Sequence, residues 1–159
     1  MTTADLKHGL RLVVVTDSKL AHPRSVLDVV REALRCGAPS VQLRNKGEST
    51  RDLLGLGHAL RQATRETGAL LFVNDRLDLA LAVEADGVHL GPEDLPVHAA
   101  RRVAPRGFLI GRSADDPEVA RAAVADGADY IGCGTVYPTS TKRDVGDVIG
   151  LEGLRRVVR

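Results

Sequence analysis

The stretch "LFVND" (71–75) runs three apolar residues straight into an amide, Asn74, and a carboxylate, Asp75. Nineteen residues later, past a second apolar run, "LGPED" ends in Glu93 and Asp94. Carboxylate oxygens, completed by water and phosphate oxygens, make a Mg²⁺ site. Cations follow other apolar runs: Arg44 and Lys46 in "VQLRNK", and Lys142 in "VYPTSTKRD", which also supplies the hydroxyls of Thr139, Ser140 and Thr141. Acids for a metal, with cations and hydroxyl donors around them, suit a pyrophosphate ester whose oxygens the metal would share. On spacing alone, Asp75 and Asp94 serve equally well as helix N-caps or loop ion pairs. Residues 139–142 could form a solvated polar loop, and Gln42, Arg44 and Lys46 could be polar filling on one face of a strand.

The elements that must position these residues are short and alternating. Apolar runs of strand length occur at 12–16, 40–44, 70–74, 87–90, 108–111 and 130–133. Helical spacing lies between them: Val26, Leu27, Val30, Ala33 and Leu34 share one face, as do Leu53, Leu54, Leu56 and Leu60. Ser49, and Asp115 or Asp116 before Pro117, read as helix N-caps, and Gly37, Gly68 and Gly127 as helix ends. "CGAPSVQLR", "EADGVHLG" and "DGADYIGCG" each lead from a helix end through small residues into a strand, a weak internal repeat. The last helix falls at 151–159, giving six strand–helix pairs.

Such alternation predicts a parallel sheet with right-handed crossovers. An open doubly wound sheet expects a Gly-rich turn after its first strand, and "VTDSKL" has no glycine. A (β/α) barrel of the TIM type expects polar residues at the C-terminal ends of many strands. The sequence meets that expectation with Gln42, Arg44, Asn45 and Lys46, then Asn74 and Asp75, Asp94, Arg112 and Ser113, and Thr139 to Lys142. The expected fold is therefore an α/β TIM barrel with about six of its eight βα units.

Composition narrows the rest. Residues 1–159 are expected to form a single domain. Aromatics are 3% and Trp is absent, so the core must be aliphatic. A net charge of +1, with dispersed arginines, argues against nucleic-acid binding through bulk electrostatics. Cys36 and Cys133 lack CxxC spacing and read as reduced cytosolic thiols. "MTTADLKHGL" has no apolar signal core, and no apolar run approaches the roughly 20 residues of a membrane helix. The expected location is cytoplasmic, with no membrane partner. His89 reads as a buried structural histidine, Cys133 as a small packing residue, and His58 and His98 as surface residues on helices.

In order along the chain, "VQLRNK", "LFVNDRLDLALAVEADGVHLGPEDLP" and "GTVYPTSTK" followed by "GLEGL" closely resemble the thiamine phosphate synthase family, from about Leu12 onward. The resemblance implies a transferase that joins hydroxymethylpyrimidine pyrophosphate to thiazole phosphate with Mg²⁺-assisted loss of pyrophosphate. By resemblance, Gln42, Arg44, Lys46, Asn74, Ser113 and Lys142 would bind the pyrimidine pyrophosphate. Arg44, Ser113 and Lys142 would carry the chemistry, Asp75 and Asp94 would hold Mg²⁺, and Thr139, Ser140 and Thr141 would contact the thiazole.

Two small departures from the family pattern stand out: Pro92 replaces a glutamine in "GPED", and the bulky Arg112 precedes Ser113. A larger one is length, since the family barrel has two more βα units that grip the thiazole phosphate. Six strands leave open edges, so a homo-oligomer or low stability is expected. Two other readings remain: a thiazole tautomerase-like isomerase, against which Asp75, Asp94, Arg44 and Lys46 argue, and a non-catalytic barrel that binds a phosphorylated ligand.

Overall fold

The computed structural model describes residues 3–44, 47–139 and 147–159. They form two compact units, Met1–Val88 with Arg106–Phe108, and His89–Pro105 with Leu109–Arg159.

In the first unit, helix α1 (Thr3–Gly9) leads to strand β1 (Val13–Val15), the short helix α2 (Ser18–Ala21) and helix α3 (Val26–Arg35). Strand β2 (Ser40–Leu43), helix α4 (Thr50–Thr67), strand β3 (Leu70–Asn74) and helix α5 (Leu77–Ala82) follow. The three strands are parallel and lie in chain order, with Val15 opposite Gln42 and Leu43 opposite Val73. That register aligns their C-terminal ends and, carried one residue on, sets Arg44 opposite Asn74.

The core is largely aliphatic, as the composition requires, with Phe72 and Phe108 as its buried aromatics. Val41, Leu43, Leu71, Phe72 and Val73 are buried on the strands. Val30 and Leu34 of α3 and Leu53 and Leu60 of α4 are buried against them, while Leu54 and Leu56 are half-buried. Each such side chain contributes about 1.5–3 kcal/mol of burial. At Gly57 a Cβ would come 2.8 Å from Val83 Cγ1, so only glycine permits this approach of α4.

Local chemistry sets the helix limits. The Ser49 hydroxyl accepts the Asp52 N–H at 3.2 Å and donates to the Asp52 carboxylate at 2.5 Å, a reciprocal cap for α4. Gly68 ends that helix at φ 71°, the left-handed region glycine favours. Helices α1 and α2 are absent from the spacing-based reading because they are too short to show a periodic apolar face. Helix α2 depends on Asp17, whose carboxylate accepts the N–H groups of Lys19 and Leu20 at 2.9 and 3.1 Å.

Strand β4 (Gly87–Leu90) starts in the first unit and ends in the second. The second continues with helix α6 (Val97–Val103), strand β5 (Leu109–Ser113), helix α7 (Pro117–Ala125), strand β6 (Tyr130–Gly132) and helix α8 (Gly150–Val158). Asp116 caps α7, accepting from Glu118 and Val119, with Pro117 in its first turn. Strands β5 and β6 are parallel, pairing Gly111 with Tyr130 and Ser113 with Gly132.

The expected strands at 70–74 and 87–90 coincide with β3 and β4. The one expected at 108–111 is displaced: β5 starts later and extends through Arg112 and Ser113, because both pair with β6. Those two residues lie on the strand itself rather than just past it.

Candidate active site

In the first unit, the ends of β2 and β3 together with helices α4 and α5 enclose a cavity of ≈ 230 Å³ lined by Arg44, Glu48, Asn74, Asp75 and Arg76 and by the apolar Leu43, Leu53, Val73 and Leu79. Its position follows from the register, which brings the last residues of β2 and β3 side by side. Arg44, Asn74 and Asp75 are therefore brought together. Gln42 is half-buried on β2 and is not among the cavity's lining residues. Lys46 lies outside the described residues.

Arg44 is fixed through its main chain. The hydroxyl of Thr16, a residue only 3% exposed, accepts the Arg44 N–H at 2.9 Å and donates to the Arg44 carbonyl at 3.2 Å. The Thr16 N–H donates to the Gln42 carbonyl at 2.9 Å, continuing the β1–β2 ladder one residue beyond the strand.

Asp75 occupies the left-handed region at φ 64°. The Arg76 N–H closes a tight turn around it by donating to the Asn74 carbonyl at 2.7 Å. A three-residue turn with a positive central φ is strained, and such strain collects at functional positions. Arg76 lines the same cavity, but Asp78 engages its guanidinium through two bonds of 2.8 and 2.6 Å. Those hydrogen bonds hold the Asp78 carboxyl below its ordinary range and the Arg76 guanidinium above its own. Of the two arginines, Arg44 is the one whose side chain Asp78 leaves available to an anionic ligand.

In the second unit, Asp94 is half-buried at the loop after β4. Its Oδ2 accepts the Gly91 N–H at 2.6 Å, and its own N–H donates to the Gly91 carbonyl at 3.2 Å. The "GPED" loop is thus closed on itself, with Pro92 and Glu93 exposed. Arg112 is half-buried and directs Nη1 to the Leu90 carbonyl at 3.4 Å, so the bulk that sequence analysis singled out contacts a neighbouring strand's main chain. Thr139 is exposed. Ser140, Thr141 and Lys142 lie outside the described residues.

Ser113 stands in a hydrogen-bonded chain that the sequence did not reveal. His89 Nε2 is 2.9 Å from Ser113 Oγ, and His89 Nδ1 is 3.1 Å from the Tyr130 hydroxyl. The two rings are 5.5 Å apart at an interplanar angle of 34°. His89 is half-buried rather than buried. Burial pushes the Tyr130 phenol well above its ordinary pKa, and Asp129 adds to the effect. The available signal was strand alternation, which puts Gly111 and Ser113, like Tyr130 and Gly132, on one face. Thr16 carried only a weak signal, a hydroxyl at the end of the first apolar run.

No cluster of three or more His, Cys, Asp or Glu that could hold a metal ion occurs among the described residues. Two carboxylates are nonetheless the donor set that a largely water- and phosphate-ligated Mg²⁺ takes. Asp75 after β3 and Asp94 after β4 each carry a carboxylate of the kind such an ion takes.

A family model described as thiamine monophosphate synthase matches residues 12–159. The chain is 50% identical over 154 residues to the thiamine-phosphate synthase of Pyrococcus furiosus, covering 97% of this chain and 72% of that protein. It is 50% identical over 146 residues to the thiamine-phosphate synthase of Moorella thermoacetica, covering 92% and 70%. The solved structure of thiamine phosphate pyrophosphorylase from Pyrococcus furiosus is similar with a TM-score of 0.83 at 47% identity, covering 96% of this chain and 71% of that one. With the alternation of elements, that likeness establishes the α/β barrel class, of which the described residues carry six βα units.

Proposed function

The chain belongs to the thiamine monophosphate synthase family, and on that premise we propose how its own residues serve the family's reaction. It is a transferase of thiamine biosynthesis, joining hydroxymethylpyrimidine pyrophosphate to thiazole phosphate. The bond between the pyrimidine methylene carbon and the pyrophosphate oxygen breaks, and its electron pair leaves with pyrophosphate. The thiazole nitrogen lone pair then forms the new carbon–nitrogen bond. Because the aminopyrimidine delocalises the intermediate cation, the protein needs no nucleophile. Its work is to bind, orient and neutralise the departing charge.

Arg44, Lys46 and Lys142 supply positive charge to the diphosphate, and Ser113 supplies a hydroxyl donor. Gln42 and Asn74 hydrogen-bond the pyrimidine substrate, and Thr139, Ser140 and Thr141 contact the thiazole phosphate. Asp75 and Asp94 hold Mg²⁺, which when bound stabilises negative charge on the leaving group. One observation carries this reading: Asp75 is held in a strained turn beside Arg44 and Asn74 on one cavity at the strand ends.

The cysteines Cys36 and Cys133 are free, which supports a reducing, cytoplasmic location. No helix among the described residues is long and apolar enough to cross a membrane. Exposed Leu12, Val15 and Leu20, on and beside β1, support a homo-oligomer, which sedimentation velocity measures directly.

The deciding experiment follows thiamine phosphate formation from both substrates as Mg²⁺ is varied, with calorimetric titration of Mg²⁺ into protein and pyrophosphate. Asp75→Asn and Asp94→Asn each lower kcat/KM about 100-fold or more and weaken the Mg²⁺ heat. Unchanged turnover and unchanged heat in both variants would remove the metal assignment.

A further inference from the structure

We infer that Tyr130 is a positioning residue acting through His89: its phenol holds the imidazole in the tautomer protonated at Nε2, so that the Ser113 hydroxyl keeps its own proton for an anionic ligand. The inference rests on the assignment of Ser113 to the diphosphate.

A neutral imidazole donates from one nitrogen and accepts at the other. With Tyr130 at Nδ1 and Ser113 at Nε2, two arrangements are open. In one, the phenol donates to Nδ1, Nε2–H donates to Ser113 Oγ, and the serine proton remains available. In the other, serine donates to Nε2 and Nδ1–H donates to the phenol oxygen, so the serine proton is used up. A phenol is a stronger donor and a weaker acceptor than an alkyl alcohol, because its oxygen lone pair is delocalised into the ring. The first arrangement therefore matches each donor with its better acceptor. Burial adds to this by keeping the phenol protonated.

Space around the chain of bonds is cleared by glycine. A Cβ at Gly132 would stand 2.7 Å from His89 Cε1, and one at Gly111 would fall inside the Tyr130 ring's contact distance. The register puts these glycines opposite the residues that complete the cluster, Gly111 opposite Tyr130 and Gly132 opposite Ser113. Any larger side chain at either position would displace a ring and break the alignment. Three adjacent functional groups and two empty Cβ positions thus converge on the orientation of one hydroxyl.

The test uses ¹⁵N-histidine-labelled protein at about pH 8, where free imidazole is neutral, with His89 assigned through His89→Gln. A long-range ¹H–¹⁵N spectrum shows His89 as the Nε2–H tautomer in the wild type and as a mixture of tautomers in Tyr130→Phe, which still fills the space beside Gly111. In parallel, Tyr130→Phe lowers kcat/KM for the pyrimidine pyrophosphate about fivefold, the worth of one neutral hydrogen bond. An Nδ1–H tautomer in the wild type, or a Tyr130→Phe protein with unchanged tautomer and kcat/KM, overturns the inference. Should Tyr130→Phe not fold, His89→Gln, whose amide can still donate to Ser113, retains more activity than His89→Leu, and equal loss in both overturns it. Ser113→Ala separates the two levels: if kcat/KM survives in that variant, the diphosphate assignment falls, while the spectrum still decides the tautomer.

Discussion

Asp86 and Leu71 bond to each other twice. The Asp86 N–H donates to the Leu71 carbonyl at 2.9 Å, and the Leu71 N–H donates back to the Asp86 carboxylate at 2.7 Å. Arg61 of α4 completes the arrangement with bonds of 2.7 and 3.2 Å to the same carboxylate. The second unit repeats it. Asp129 donates its N–H to the Ile110 carbonyl at 2.7 Å, accepts the Ile110 N–H at 2.7 Å, and pairs with Arg101 at 2.6 Å. Two members of the sequence repeat, "EADGVHLG" and "DGADYIGCG", thus share a hydrogen-bond pattern in which an aspartate before a strand ties that strand's start to its predecessor, whereas "CGAPSVQLR" has Pro39 in that place.

These two arrangements differ in exposure, and that sets an order of stability effects. Arg61 and Asp86 side chains are 16% and 26% exposed, whereas Arg101 and Asp129 are 32% and 33% exposed. Asp86→Ala leaves a mostly buried guanidinium and a strand N–H unpaired and costs about 3 kcal/mol. Asp129→Ala costs less, about 1–2 kcal/mol, because water reaches its partners more readily. Urea denaturation of the two variants checks the order, and a larger loss at Asp129 would contradict it.

Asp75 sets a backbone test separate from its charge. Aspartate, asparagine and glycine accept a left-handed φ far more readily than branched residues do. Asp75→Asn therefore melts close to the wild type. Asp75→Val, carrying a β-branched side chain at φ 64°, loses about 2 kcal/mol. Thermal unfolding of both variants, read beside their Mg²⁺ titrations, separates strain from metal binding.

Tyr130 gives stability a dependence on alkaline pH. Its folded-state pKa is raised by burial, while in the unfolded chain the phenol ionises near pH ~10. Above that pH the unfolded state has lost a proton that the folded state retains, so unfolding releases a proton. This contribution is fully present below about pH 10 and is lost as pH rises toward the folded value. Urea midpoints measured from pH ~9 to ~11 fall more steeply for the wild type than for Tyr130→Phe, which has no phenol to ionise.

Much of the architecture was legible because it is written in short-range terms. Period and punctuation placed β3 and β4 at their observed limits, and Ser49, Asp116 and Gly68 marked helix ends through bonds to residues within a turn. Strand β5 was misplaced because its end depends on pairing with β6, which is not local. The site divides along the same line. That Arg44, Asn74 and Asp75 line one cavity was foreseeable because they end or directly follow apolar runs. The Thr16 clamp on Arg44 spans 28 positions and the His89–Tyr130 bond spans 41, so no local pattern announces either. His89 was read as a core histidine because one polar residue in an apolar run looks the same whether it supports packing or a hydroxyl.

The Thr16 clamp holds only the amide and carbonyl of residue 44 and leaves the side chain out of the grip. The main-chain position of residue 44 is therefore set independently of what projects from it. A substitution at position 44 thus changes what lines the cavity while its amide and carbonyl stay anchored, whereas loss of the Thr16 hydroxyl would release the main chain under any side chain placed there.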